Sequence, residues 1–431
     1  MKYFIAPICL VFLLASCKNQ KSNIVDKAYA DSLMSHYSVP KQVIDNEKDI
    51  QFWKNRINPN QSRQVNESKY AGTLIARFHQ FGDIHDVKEA DSILKNVNKT
   101  YNSTLPGPFV ALTGSAMLQH HFIQADTLFQ KAVKIGVDGF TLNTLSFDVN
   151  FELGRYSMAN VYLRKLAHNK DYSYYFRRSK YDHYNGSLDS AISSMLKAAD
   201  LGKELSPYLQ DIALSNAADL YVHSGKLQMA GDLYKKCISL NSVDFHSIMG
   251  LGWIALVHDK NDTLAERIFK FVHTKNKLPD PLFKLYQMAQ ERGDRILEKK
   301  YAEEFAAKAT DTIYGKMYNK YVIEIYTGIL HNPAKAEELA KNELNNRATP
   351  QTYAWYAYTL FENSKKDEAY KIFQQYVSGR PLEGLELYYM GKMMKGLDKG
   401  YDAGLFFKAA EISRYDLSPD MDKDLQANLE E

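Results

Sequence analysis

Apolar positions along this chain return at a nearly fixed interval. With Ala90 as origin, a small residue comes back as Ala125, Ala159, Ala191, Ala230, Ala265, Ala336, Ala369 and Ala403, and Glu298 fills the one remaining place. Four residues after each origin stands a mostly large apolar side chain, among them Leu94, Phe129, Leu163, Tyr234, Phe269, Phe373 and Phe407; three further come Val97, Ala132, Cys237 or Ala410. Apolar residues at i, i+4 and i+7 lie on one face of an α-helix, so each stripe predicts one buried helix face. The stretch "DIALSNAADLYVHSGKLQMAGDLYKKCISLNS" shows the whole unit. Ala217, Ala218 and Tyr221 supply a first helix, Gly225 turns the chain, and Ala230, Tyr234 and Cys237 supply a second. Gly154, Gly186, Gly225 and Gly293 each stand five residues before the origin, where the first helix must end in a left-handed cap. Pro350 and Pro381 fall between units, where a helix has to stop.

The intervals between origins run from 32 to 39 residues and centre on 34. In period and in its small, aromatic, small, Pro signature the pattern resembles the tetratricopeptide repeat, over residues 68 to 416. The resemblance implies an all-α fold, a right-handed α-solenoid of about ten helix hairpins winding through somewhat more than one superhelical turn. A single hairpin cannot cover its own apolar face, so stability is the sum of interfaces between neighbours. Two departures matter. The unit around Glu298 lacks the small residue and the unit around Ala336 lacks the aromatic, so local loosening is expected there. The 39-residue interval around "LGKELSPYLQD" predicts a longer loop before Ile212.

The N-terminus, "MKYFIAPICLVFLLASCKNQ", has a basic residue, an apolar run and small residues, which is the layout of a secretory signal and too short to span a bilayer. "LLASC" at 13 to 17 resembles the lipobox of bacterial lipoproteins, which implies cleavage after residue 16 and lipidation of Cys17. The expected organisation is a signal peptide over 1–16, a polar tether over 17–48 with one short helix, the solenoid over 49–416, and a capping segment over 417–431. "CKNQKSN" lacks the acidic cluster that marks surface export in Bacteroidetes-type lipoproteins, so a lipid-anchored, periplasm-facing position at the cell envelope is expected.

Composition narrows the function. The chain has 54 basic and 51 acidic residues among 431, a net charge of +3 that gives no electrostatic footprint for nucleic acid. Of the 3 Cys, Cys9 leaves with the signal and Cys17 is the lipidation site, so Cys237 remains alone as a packing residue. There is no Gly-rich phosphate loop, nucleophile elbow, His-Glu-x-x-His or Cys-x-x-Cys. His120 and His121 are adjacent but have no third ligand nearby in sequence. No enzyme, cofactor or metal site is expected.

The 30 Tyr suggest where binding would occur. In the resembled family the first helix of each unit lines a concave groove. Carrying its positions over gives Phe176 and Lys180 in the fourth unit, then a strip of Tyr318, Tyr321, Tyr358, Phe361, Tyr388 and Lys392. Aromatic and basic side chains on a rigid surface anchor protein interfaces. The expectation is an envelope scaffold that binds protein or peptide partners. Glycan capture by an outer-membrane lipoprotein is the alternative, ranked lower because the repeats run almost unbroken.

Overall fold

The computed structural model describes residues 22–58 and 63–430. Cys17 and the signal peptide expected over residues 1–16 lie outside the described residues. Helices account for 78% of the chain and no strand is present among the described residues. Two N-terminal helices, Lys27–Ser35 and Lys41–Asn55, precede ten helix hairpins. The first hairpin is Arg63–Phe81 with Ile84–Thr100, the last is Gly384–Gly396 with Gly400–Glu411, and a closing helix follows at Pro419–Glu430. The chain is an all-α solenoid of tetratricopeptide-like units. No helix among the described residues is long and apolar enough to cross a membrane.

The repeat stripe is the core. All ten origin residues are buried, Glu298 included, and Leu94, Phe129, Leu163, Phe269 and Phe407 pack four positions on. In the ninth hairpin the stripe slips by one. A π-helical segment, Phe373–Val377, adds a residue to the second helix, so Val377 takes the buried place while Phe373 and Tyr376 sit half-exposed.

The turn inside each hairpin is equally regular. Gly154, Gly186, Gly225 and Gly293 have φ near +70° to +75°, and the same place in other units is held left-handed by His120, Lys260, His331, Ser364 and Asp398. The hairpin geometry imposes this conformation whichever residue stands there, and a side chain in it costs roughly 1–2 kcal/mol.

Four sequence expectations change. The long interval holds no long loop: the extra residues lengthen Leu188–Leu205 and Pro207–His223, which meet at Ser206, whose hydroxyl caps the second helix at the Leu209 N–H (3.2 Å). The helices can cross so tightly because a Cβ on Gly202 would sit 3.0 Å from the Gln210 backbone nitrogen.

Residues 22–48 are not a free tether. The Ile24 and Val25 N–H groups both donate to the Asp259 carboxylate at 2.9 Å, Arg267 pairs with Asp31 at 2.6 Å, and Tyr37 packs edge-on against Phe271. This segment therefore docks on the fifth and sixth hairpins, Pro207–His223 with Leu227–Leu240 and Phe245–Val257 with Asp262–Lys275. Ile24, Val25 and Ala30 are few in a polar stretch, yet each is buried.

The units expected to loosen instead satisfy their buried acids. Glu298 accepts from Arg295 (2.7 Å) and Gln290 (3.1 Å), and Glu343 accepts from Asn319 (2.8 Å) and Asn346 (3.1 Å). The continuous apolar core covers this region, whereas the first three hairpins hold smaller separate clusters.

The largest departure is superhelical. Lys277 pairs with Asp83, 194 residues earlier, Arg347 with Glu152, 195 earlier, and Asp416 with His223, 193 earlier. One turn of the solenoid thus takes about 195 residues, roughly 5.7 repeats of 34, and the chain completes nearly two turns. The second turn lies directly on the first. Hairpin turns meet the connections between later hairpins: the Lys277 N–H donates to the Phe81 carbonyl (2.8 Å), and Asn346 bridges the Phe122 N–H (3.0 Å) and the His120 carbonyl (2.7 Å). Gly82 is needed at one such contact, because a Cβ there would lie 2.5 Å from the Leu278 side chain.

Candidate functional site

Stacked turns convert the concave face from an open groove into a partly enclosed lumen. Two cavities of about 290 and 240 Å³ lie along it, and Lys320 and Glu383 form part of the wall of both. His246 and Glu383 have side chains 59% and 46% accessible; His246 lines the larger cavity and Glu383 lines both.

The predicted strip divides three ways. Tyr318 and Tyr358 are buried: the Tyr318 hydroxyl donates to Asp280 (2.6 Å), and the Tyr358 ring stacks on Tyr389 at 4.0 Å. Phe361 packs on Gly396, where no Cβ would fit. These three serve as core rather than as a partner surface. Tyr321 stays open, leaning on Phe283 at 4.7 Å and lining the larger cavity.

Tyr388 and Lys392 are occupied from within the chain. Both hold Asp424 of the closing helix, at 2.8 and 3.0 Å, and Lys395 holds Asn428 at 2.7 Å. The other side of that helix is fixed by Arg295 to Asp420 (2.5 Å), by Ser418 to Glu324, and by the fully buried Leu425. In the fourth hairpin Phe176 stacks on Tyr172, while Lys180 pairs with Glu152 over the Phe151 ring and lines the smaller cavity.

The sequence reading missed the charged groups of the lumen. Lys320, at the start of Asn319–Thr327, has Glu386 and Glu383 oxygens at 3.8 and 4.0 Å and no hydrogen bond among the described residues. Burial opposes its charge, but those two carboxylates hold its pKa up. Glu386 accepts from the Trp355 indole (2.6 Å) with one oxygen, and its Oε2 is buried without a partner among the described residues. Lys284 sits over the Trp253 ring at 3.9 Å with only Gln287 as hydrogen-bond acceptor among the described residues, and burial lowers its pKa to about 8. Burial likewise raises Glu324 to about 7.

Two histidines carry charge here. Burial would lower His223, but Asp416 at 2.6 Å overrides it and raises the imidazole to about 9. Asp219, 2.9 Å away, raises His246 to about 9. A signal for some of these groups was present in the sequence: Glu324 in "YVIEIY" and Glu386 in "GLELYY" are acids inside otherwise apolar helix runs.

Two other clusters have structural work. His120 takes the left-handed turn and stacks on Phe122 at 5.2 Å, and burial lowers it to about 4. Asp211, Cys237 and Asp244 bring ligand-type atoms within 4.8 Å of one another. Asp211 accepts from Asn241 (2.9 Å), Asp244 caps a helix at the Ser247 N–H (3.0 Å), and burial followed by the Asp244 charge raises Asp211 to about 7. This donor set fits two acids that share a proton.

No family model matches the chain, and no curated protein matches it. Among solved structures it is similar to a tetratricopeptide repeat protein from Parabacteroides merdae, with 15% identity over 60% of this chain and 99% of that one and a TM-score of 0.34. It is also similar to yeast Tom70, with 14% identity over 93% and 94% of the two chains and a TM-score of 0.33. A third is a signal transduction ATPase with numerous domains and a tetratricopeptide repeat sensor from Pyrococcus horikoshii, with 16% identity over 78% of this chain and 55% of that one and a TM-score of 0.43. At these identities and scores no ligand or activity carries over.

Proposed function

We propose that this solenoid of tetratricopeptide-like hairpins is a protein-interaction scaffold at a bacterial cell envelope, held there by lipid on Cys17, and that it grips acidic amphipathic helices on the strip formed by Tyr388, Lys392 and Lys395. The observation that carries the reading is the way the strip already holds Asp424 and Asn428 of the closing helix. A partner helix of the same chemistry would take its place. Association of this kind needs a rigid surface with a few aromatic and basic anchors, and the strip stands on a single well-packed helix, Gly384–Gly396.

The test uses the full-length chain with Asp424→Lys, which breaks the hold on the closing helix but leaves Leu425 in place. A labelled peptide of residues 417–430 serves as probe. It is expected to bind the variant at least tenfold more tightly than the parent, and Lys392→Glu added to the variant should abolish binding. Equal binding by parent and variant, or indifference to Lys392→Glu, would remove the strip as a recognition surface. Cys17→Ser should release the protein from membranes, and retention would remove the anchor.

A further inference from the structure

The lumen holds ionic groups of both signs that the protein leaves incompletely satisfied, and they meet between the two cavities. The Lys320 ammonium has carboxylate oxygens at 3.8 and 4.0 Å, beyond hydrogen-bond reach, and Glu383 makes no side-chain hydrogen bond among the described residues. Glu386 Oε2 is buried with no partner among the described residues. Among the described residues Lys284 has only a neutral hydrogen-bond acceptor, Gln287 at 2.9 Å. Of these groups Glu386 is fully buried, where an ionic group without full pairing costs several kcal/mol, whereas Lys320 and Glu383 keep 31% and 46% of their side chains accessible and can be reached by a ligand.

Beside these groups stand apolar walls. Trp253, Phe283 and Tyr321 flank the larger cavity, and Tyr156, Tyr184 and Trp355 flank the smaller. At about 290 Å³ the larger cavity falls at the lower edge of the ~300–1,000 Å³ range of small-molecule sites.

We propose that the larger cavity binds a small zwitterion of the amino-acid type, its carboxylate on Lys320 and Lys284, its ammonium on Glu383, and its apolar part against Trp253, Phe283 and Tyr321. Charge balance selects the class. A plain anion would meet Glu383 and Asp280, and a plain cation would meet Lys320 together with His223 and His246, both held charged by their carboxylate partners. A molecule that carries both charges a few ångströms apart satisfies both sets. This site lies apart from the strip that holds the closing helix, so its test and the peptide test fail independently.

The experiment is calorimetric titration of the full-length chain with each of the twenty free amino acids, beside two single-charge analogues of any that bind: the amine lacking the carboxylate and the acid lacking the amine. At least one amino acid is expected to bind with a Kd below about 1 mM, and both of its analogues at least tenfold more weakly. Lys320→Met and Glu383→Gln should each weaken binding at least tenfold. Because Glu383 makes no side-chain hydrogen bond among the described residues, Glu383→Gln keeps the proposal exposed to refutation even if Lys320→Met does not fold. Absence of binding by every amino acid, equal binding of an analogue, or unchanged affinity in Glu383→Gln would overturn the proposal.

Discussion

Removing the charge of Asp416 should loosen the joint between superhelical turns in a pH-dependent way. Asp416 lies 2.6 Å from His223, 193 residues earlier, with side chains 19% and 28% accessible. His183 stacks on the same imidazole at 5.0 Å, and Glu383 and Asp219 add to the field that keeps His223 protonated. Raising an imidazole from 6.5 to about 9 corresponds, at about 1.36 kcal/mol per tenfold change in proton affinity, to roughly 3 kcal/mol. Partial exposure screens part of this, which leaves about 2 kcal/mol for Asp416→Asn. The folded state binds the proton more tightly than the unfolded one. The contribution is therefore complete below pH 6.5, declines as pH rises, and is gone above about 9. Urea unfolding of parent and Asp416→Asn should differ by about 2 kcal/mol near pH 6 and converge near pH 10, and His223→Gln in both backgrounds should cancel the pH dependence. An equal difference at both pH values, or none near pH 6, would refute the reasoning.

Other expectations rest on separate parts of the chain. Asp211 is an acid raised from 3.8 to about 7, so the folded protein prefers it protonated and loses stability as pH rises between those values; Asp211→Asn should raise the urea midpoint at pH 8 and leave it nearly unchanged at pH 4. At exposed turn positions with φ of 63° and 58°, Ser364→Gly and Asp398→Gly should each add about 0.5–1 kcal/mol, whereas Gly225→Ala should cost about 1–2 kcal/mol, all read by thermal unfolding. Asp259→Ala removes the acceptor of the Ile24 and Val25 N–H groups; it should cost about 1–3 kcal/mol and speed amide exchange across residues 24–37.

What the sequence could reveal follows from the range of the interactions. The stripe from Ala90 to Ala403 and the glycine turns report contacts within a hairpin and between neighbours, so the all-α repeat was legible residue by residue. Superhelical closure rests on pairs such as Lys277 with Asp83 and Arg347 with Glu152. Nothing local marks a partner almost 200 positions away, and the open groove expected from the repeat alone was therefore replaced by a lumen. The same reason explains the strip. Tyr318, Tyr321 and Tyr388 occupy equivalent kinds of position, yet Asp280, the lumen and Asp424 respectively give them a core contact, an open face and a place against the closing helix. The docking of residues 22–38 was hidden because a few apolar side chains, Ile24 and Val25 above all, are buried at a surface supplied by distant hairpins.

The account depends most on the second turn of the solenoid lying on the first. Zero-length carbodiimide coupling of the dilute monomer, followed by peptide mass spectrometry, tests this at Lys277 and Asp83, whose ammonium and carboxylate are 2.6 Å apart. The account predicts a Lys277–Asp83 amide formed within one molecule at a yield that does not depend on protein concentration. If that amide does not form while Lys365 still couples to Glu337, a pair held at 2.6 Å between neighbouring hairpins, the turns are apart in solution and the concave face is an open groove.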